Sequence, residues 1–179
     1  MLALLLLAPL LWDAGVGPAL PLDNNVPLAV VASVRGALEW PAAAAGVRGV
    51  ALLGPEGSYN WYDNKYGQDG FRGWAVLAEV EGHARARSLQ AFLRTGLGIG
   101  RVRKIPHGAD SLEGSIGPAA RLSLGARGAL SDRFWIGVEG GVLWFVNVRH
   151  GDSDPLLPRA RPEPLVPAAL VLVTIGMRR

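Results

Sequence analysis

The stretch Ile116–Val148, IGPAARLSLGARGALSDRFWIGVEGGVLWFVNV, decides how the rest of the chain is read. Before Ser131-Asp132-Arg133, Ala120, Leu122, Leu124, Ala126 and Leu130 fall on one parity and Arg121, Ser123, Gly125 and Arg127 on the other. That is the period of a strand with one apolar face. After it, Phe134, Ile136, Val138, Val142, Trp144, Val146 and Val148 share a face opposite Gly137, Glu139, Gly141 and Asn147. Trp135, Leu143 and Phe145 interrupt that second face. Either arm could bury its apolar side in a core or turn it outward, and length separates the two. Strands of globular proteins run roughly 5 to 6 residues, whereas a tilted strand crossing a bilayer needs roughly 9 to 11. Both arms reach the longer figure, so the sequence predicts Leu, Val and Trp facing lipid and Arg and Glu facing a narrow lumen.

The same parity recurs along the chain. Trp12, Ala14, Val16 and Leu20 oppose Asp13, Gly15, Gly17 and Ala19, up to a turn signal at Asp23-Asn24-Asn25. Leu28 to Trp40 places Leu28, Val30, Ala32, Val34, Leu38 and Trp40 against Ser33, Arg35 and Glu39, and Pro41 ends the run before a link at Ala42–Ala45. Gly46 to Leu53 is the least regular segment, because Arg48 shares parity with Val50 and Leu52. Pro55 to Gly70 is a long polar loop. Trp74, Val76, Ala78 and Val80 then alternate with Glu79 and Glu81, followed by a basic link holding His83, Arg85 and Arg87. Leu89 to Arg101 alternates again, interrupted by Phe92, and polar loops at Lys104–Gly114 and Arg149–Glu163 flank the opening hairpin. Val166 to Met177 closes the chain as a strand. The expected architecture is all-β: an up-and-down antiparallel eight-stranded transmembrane β-barrel occupying residues 12–179.

Its connections sort into two kinds. Those near Ala43, Ala86 and Asp132 are short, and the third, fifth and seventh are long and polar, which puts short turns at one rim and long loops at the other. The first connection, Asp23 to Pro27, is shorter than this pattern prefers. Trp12, Trp40, Phe134 and Trp135 fall at the short-turn rim, and Trp74 and Trp144 toward the long-loop rim. An interfacial aromatic girdle needs this placement, because the indole ring is apolar while its N–H seeks a polar partner.

Composition narrows the function classes. The chain has 179 residues, half of them hydrophobic, and 24 are Gly, which suits a small closed barrel with a crowded interior. There is no Cys, so neither a disulfide framework nor a thiolate metal site is available. The net charge of +3 comes from scattered Arg rather than from a clustered face, which argues against a nucleic-acid partner. No stretch reaches the roughly 18 apolar residues of a membrane-spanning helix. Residues 1–11, MLALLLLAPLL, resemble the apolar core of an export signal without the Lys or Arg that normally precedes one, so the natural start is expected upstream.

At this point the chain resembles the small outer-membrane β-barrel families of Gram-negative bacteria, the eight-stranded group that includes the barrel domain of outer-membrane protein A. The likeness covers Trp12 to the C-terminus and rests on pattern, with GPAARLSLGARGALSDRFWIGVEGGV standing as the penultimate hairpin. It implies residence in the outer-membrane bilayer, insertion by the outer-membrane assembly machinery and a monomeric state. These proteins commonly end in an aromatic residue that the machinery reads, whereas this chain ends Gly176-Met177-Arg178-Arg179.

A lumen this narrow holds side chains rather than a channel. Its expected ion-pair network comprises Arg35, Glu39, Glu79, Glu81, Arg94, Arg121, Arg127 and Glu139, with Asp13 on the same face. Paired charges are required there, because an unpaired buried charge is costly. No catalytic residue, cofactor or metal is expected. Gly96-Leu97-Gly98-Ile99-Gly100 lies in a strand and opens no helix, so it is no phosphate loop, and Asp63–Asp69 lacks the spacing of a calcium loop. Tyr59, Trp61, Tyr62 and Tyr66 in the first long loop form the expected recognition surface. The sequence therefore points to a structural or surface-interaction protein of the cell envelope. Two alternatives stay open: a lipid-modifying enzyme resembling lipid A deacylases, acting through His150 and Ser153, and an exported soluble carrier of lipocalin type.

Overall fold

The computed structural model describes residues 9–22, 28–54, 70–105, 116–147 and 163–179. Eight strands follow in chain order: β1 (Leu10–Pro21), β2 (Ala29–Glu39), β3 (Ala43–Leu53), β4 (Gly70–Ala86), β5 (Leu89–Ile105), β6 (Gly117–Ala129), β7 (Phe134–Asn147) and β8 (Glu163–Arg178). Each pairs antiparallel with its sequence neighbour, and β8 returns to β1 through Leu11↔Arg178, Val16↔Val173 and Pro21↔Ala168, closing an up-and-down barrel. Closure leaves no sheet edge, which is what lets β-structure sit in hydrocarbon without orphaned backbone groups.

The strands run from 11 to 17 residues, ample to cross a bilayer. They are longer than the hydrophobic pattern alone indicates. What reads as a basic link at His83–Arg87 is the end of β4, paired to β5 through His83↔Phe92 and Arg85↔Gln90, so that only Arg87 and Ser88 form the turn. Arg87 adopts φ 55°, a left-handed conformation of the kind tight hairpins use. Likewise Ala43–Ala45 belong to β3 rather than to a link, and β5 extends to Ile105. A strand that projects beyond the apolar slab carries no lipid-facing alternation, and its polar residues resemble loop.

Side chains are distributed inside out. Val34, Val76, Leu97, Leu122, Leu124, Val138 and Val173 face outward, while Asp13, Arg35, Arg48, Glu79, Arg94, Arg121 and Glu139 are buried. A soluble carrier would show the reverse, with charges on its outer wall and apolar side chains around its cavity. An outer wall of Leu, Val and Ile over the whole barrel fits lipid as its solvent.

The interior divides along the axis. Toward the long-loop rim, Val31, Val50, Leu52, Leu77, Val102, Leu143, Phe145, Leu170 and Leu172 pack into one buried apolar cluster. Charged side chains dominate the other half, beside Phe92, Trp135 and a small cluster of Leu11, Ala37 and Ala44. This division accounts for the irregular Gly46–Leu53 segment: Arg48, Val50 and Leu52 all point inward, because a single inward face crosses from the polar half to the apolar one. Leu143 and Phe145 belong to the apolar half for the same reason.

Candidate functional site

The polar half of the lumen is built from every strand. Parity aims Asp13 of β1, Arg35 and Glu39 of β2, Arg48 of β3, Glu79 and Glu81 of β4, Arg94 of β5, Arg121 and Arg127 of β6 and Glu139 of β7 at the barrel axis. Register then sets glycine beside the bulkiest of them. Gly96 lies across from both Glu79 and Arg121, Gly125 across from Glu139, and Gly137 across from Arg127. A Cβ on Gly96 would meet Glu79 Cγ at 2.9 Å, so the missing side chains are the space into which the charged ones fold.

The charges interlock. Arg94 donates from Nη1 to Glu139 at 2.6 Å and from Nε to Glu81 at 2.7 Å. Arg48 donates from Nε to Glu79 at 2.9 Å and from Nη2 to Asp13 at 3.2 Å, and also bonds Ser33 Oγ. Arg121 spans Glu79 at 2.9 Å and Glu139 at 2.7 Å, and Arg35 reaches Glu81 at 2.9 Å. Ser123 Oγ completes the coordination of Glu139 at 2.6 Å. Among the described residues, five buried carboxylates (Asp13, Glu39, Glu79, Glu81, Glu139) face five buried guanidiniums (Arg35, Arg48, Arg94, Arg121, Arg127). Nearer the short-turn rim, Arg127 joins Glu81 at 2.9 Å to Glu39 at 3.3 Å, and Arg178 donates to Glu39 at 2.7 Å.

All eight residues of the expected lumen network thus lie together in one cluster. Two further members do not stand out in the hydrophobic pattern. Arg48 was hidden by its apolar neighbours of like parity, and His83, placed in a link, sits with Nδ1 3.0 Å from Glu81 at the edge of the network. Phe92, which broke the polar face of β5, is also inside. The Arg94 guanidinium lies 4.0 Å from its ring centroid, a cation–π contact in a dry setting.

The aromatic positions divide. Trp12, Trp74 and Phe134 are exposed on the outer wall, and Trp40 and Trp144 are half-buried. Trp12 and Phe134 pair with β8 at Met177, next to the short turns, while Trp74 pairs with Arg101 and Trp144 with Pro167 at the other end. Trp135 is a correction. It is only 7% exposed and points into the lumen, not into the girdle. Its parity is that of Gly137 and Glu139, and its ring lies over Gly176, the residue across the ladder, where a Cβ would collide with the indole. Arg127 stacks 5.1 Å from the same ring. Gly176→Ala should therefore cost about 1–3 kcal/mol through overpacking, read as a lower urea midpoint of the refolded barrel with a change in Trp135 emission. An unchanged midpoint would mean that the ring is not seated there.

Tyr59, Trp61, Tyr62 and Tyr66 lie outside the described residues, as do His150 and Ser153 of the enzymatic alternative. No family model matches the sequence, and no curated protein matches it either. Solved structures do. Neisserial surface protein A (NspA) is similar with a TM-score of 0.63 at 9% identity, over 94% of this chain and 95% of that one. The fold is that of the eight-stranded outer-membrane β-barrels. The N-terminal β-barrel domain of Pseudomonas aeruginosa OprF gives 0.59 at 7% identity over 96% and 98%, and Ail, the attachment invasion locus protein of Yersinia pestis, 0.57 at 11% over 96% and 99%. At these identities what the barrels share is architecture, carried by parity and strand length rather than by particular residues.

Proposed function

We propose that this chain is a structural and surface-interaction protein of the outer membrane of a Gram-negative bacterium, a monomeric barrel whose lumen is plugged and whose long loops meet the exterior. The observation carrying this reading is the inside-out wall together with the asymmetry of the rims. Turns of a few residues at Trp40–Ala42, Arg87–Ser88 and Leu130–Arg133 share one rim with both chain ends, and the wide separations at 54–69, 106–116 and 148–162 share the other. Outer-membrane barrels place short turns in the periplasm and long loops outside. The reading includes insertion by the assembly machinery, and export through the apolar opening segment with any cleavage before Leu10, since β1 already pairs Leu10. The charged cluster braces the wall and the apolar cluster caps it, so the barrel conducts nothing. Neither catalysis nor a cofactor forms part of this function. Tyr59, Trp61, Tyr62 and Tyr66 supply the recognition surface; Ail, of like fold, is named for attachment and invasion and has been crystallised with the heparin analogue sucrose octasulfate.

The absence of Cys makes single-cysteine labelling a clean test. A membrane-impermeant maleimide should label Ser58→Cys on intact cells and Ser131→Cys only after the outer membrane is opened. Expressing cells should adhere to cultured animal cells, and serine at Tyr59, Trp61, Tyr62 and Tyr66 should remove that adhesion without altering heat-modifiable gel migration. Labelling of Ser131→Cys on intact cells would invert the topology, and adhesion indifferent to the four aromatics would remove the recognition role.

A further inference from the structure

The short-turn rim opens into a cavity of about 440 Å³, whose floor is formed by Gln90, Arg127 and Trp135. All three side chains are more than nine-tenths buried, and each holds an N–H with no partner: Gln90 Nε2, Arg127 Nη1 and Trp135 Nε1. The orientation of Gln90 follows from its neighbour. Arg127 can only donate, and its Nε bonds Gln90 Oε1 at 2.9 Å, so the amide oxygen faces Arg127 and the amide nitrogen is left over. The other unpaired guanidinium nitrogens belong to Arg35 and Arg121, which stand among Asp13, Glu79, Glu81 and Glu139. At the rim, Arg127 is held by Glu81 and Glu39 through Nη2 alone, so that its Nη1 stays free beside the two neutral donors Gln90 Nε2 and Trp135 Nε1.

The rim adds charge of one sign. Arg85, Arg87, Arg133 and Arg178 line the cavity above Arg127, against Glu39 and Asp132, and Glu39 is already held by Arg127 and Arg178. Three buried donors without an acceptor, beneath a ring of guanidiniums, complement a group that carries several lone pairs and negative charge. The volume exceeds that of a simple ion and falls within the roughly 300–1,000 Å³ of small-molecule sites. Leu11 and the ring of Trp135 supply an apolar side to it.

We propose that this vestibule binds a small organic oxyanion, its carboxylate or phosphate at Arg127 Nη1, Gln90 Nε2 and Trp135 Nε1 and its carbon skeleton against Leu11 and Trp135. The site stands on the barrel geometry alone, and only its assignment to the periplasmic face rests on the function proposed above. The test therefore uses refolded full-length protein in a non-ionic detergent, where membrane orientation plays no part. Benzoate, phenyl phosphate and inorganic phosphate are titrated at constant ionic strength, with benzyl alcohol as the neutral control. Calorimetry should give saturable binding of benzoate or phenyl phosphate, the tighter of the two identifying the headgroup, with inorganic phosphate weaker and benzyl alcohol inert. The indole N–H resonance missing from Trp135→Phe should move downfield as the site fills. Trp135→Phe keeps the ring and loses one donor, and should weaken binding about tenfold, as for a hydrogen bond to a charged group. Gln90→Glu places a carboxylate beside Arg127 and should abolish it, while migration of the folded form stays unchanged in both variants. Absence of saturable binding by either aromatic anion, or equal affinity in wild type and both variants, overturns the proposal.

Discussion

Replacing Glu139 with leucine is expected to lower the stability of the barrel by about 3–5 kcal/mol, the cost of leaving a buried charge without its partner. Glu139 is held by Arg94 at 2.6 Å, Arg121 at 2.7 Å and Ser123 at 2.6 Å, all of them buried. Removing its carboxylate leaves Arg94 with Glu81 and Arg121 with Glu79, but the buried cluster then carries one positive charge in excess. The magnitude follows from this uncompensated charge and not from the strength of any one pair, because a buried ion pair regains little more than the desolvation of its members. The urea midpoint of the refolded protein in lipid vesicles should fall accordingly. Glu139→Leu combined with Arg94→Met should recover part of the loss, since the double variant removes a charge of each sign. If Glu139→Leu unfolds at the wild-type midpoint, water reaches the lumen and the charged cluster does not brace it.

The second large effect belongs to the other face. Leu124 is 67% exposed near the middle of β6, where the outer wall meets the centre of the bilayer. Leu124→Arg should cost about 2–4 kcal/mol at that depth, whereas Leu130→Arg, beyond the end of β6 at the short-turn rim, should cost about 0–1 kcal/mol. The two substitutions exchange the same residue types at similarly exposed positions, so only depth in hydrocarbon separates them. Equal, small effects at both would mean that water surrounds the wall.

Much of this architecture is legible in the sequence, because parity is a local property. The hairpin around Asp132 shows which residues share a face and that its arms outrun a globular strand, and the spacing of polar segments then assigns the rims. What hides from such a reading depends on the third dimension. Arg48 and Trp135 escape such a reading through one simplification, that the inward face is polar throughout. In the barrel that face is charged at one end and aliphatic at the other, so Arg48 keeps company with Val50 and Leu52, and Trp135 fits inside only because Gly176 lies beside it. Gly176 lies far from Trp135 in the chain, and the change of character along the inward face of β3 shows only when all eight strands are assembled. The rim cavity is illegible for a like reason, since Gln90, Arg127 and Trp135 come from three different strands and meet only through the register.

The equality of carboxylates and guanidiniums inside the wall bears on how the barrel responds to voltage. A transmembrane potential does work on a net charge, about 2.3 kcal/mol per elementary charge per 100 mV. Among the described residues, five buried charges of each sign, locked into one another, offer it only short opposed dipoles. Polarising the bilayer should neither unseat this interior nor open it, so single-barrel electrical recordings should stay flat whichever sign is applied.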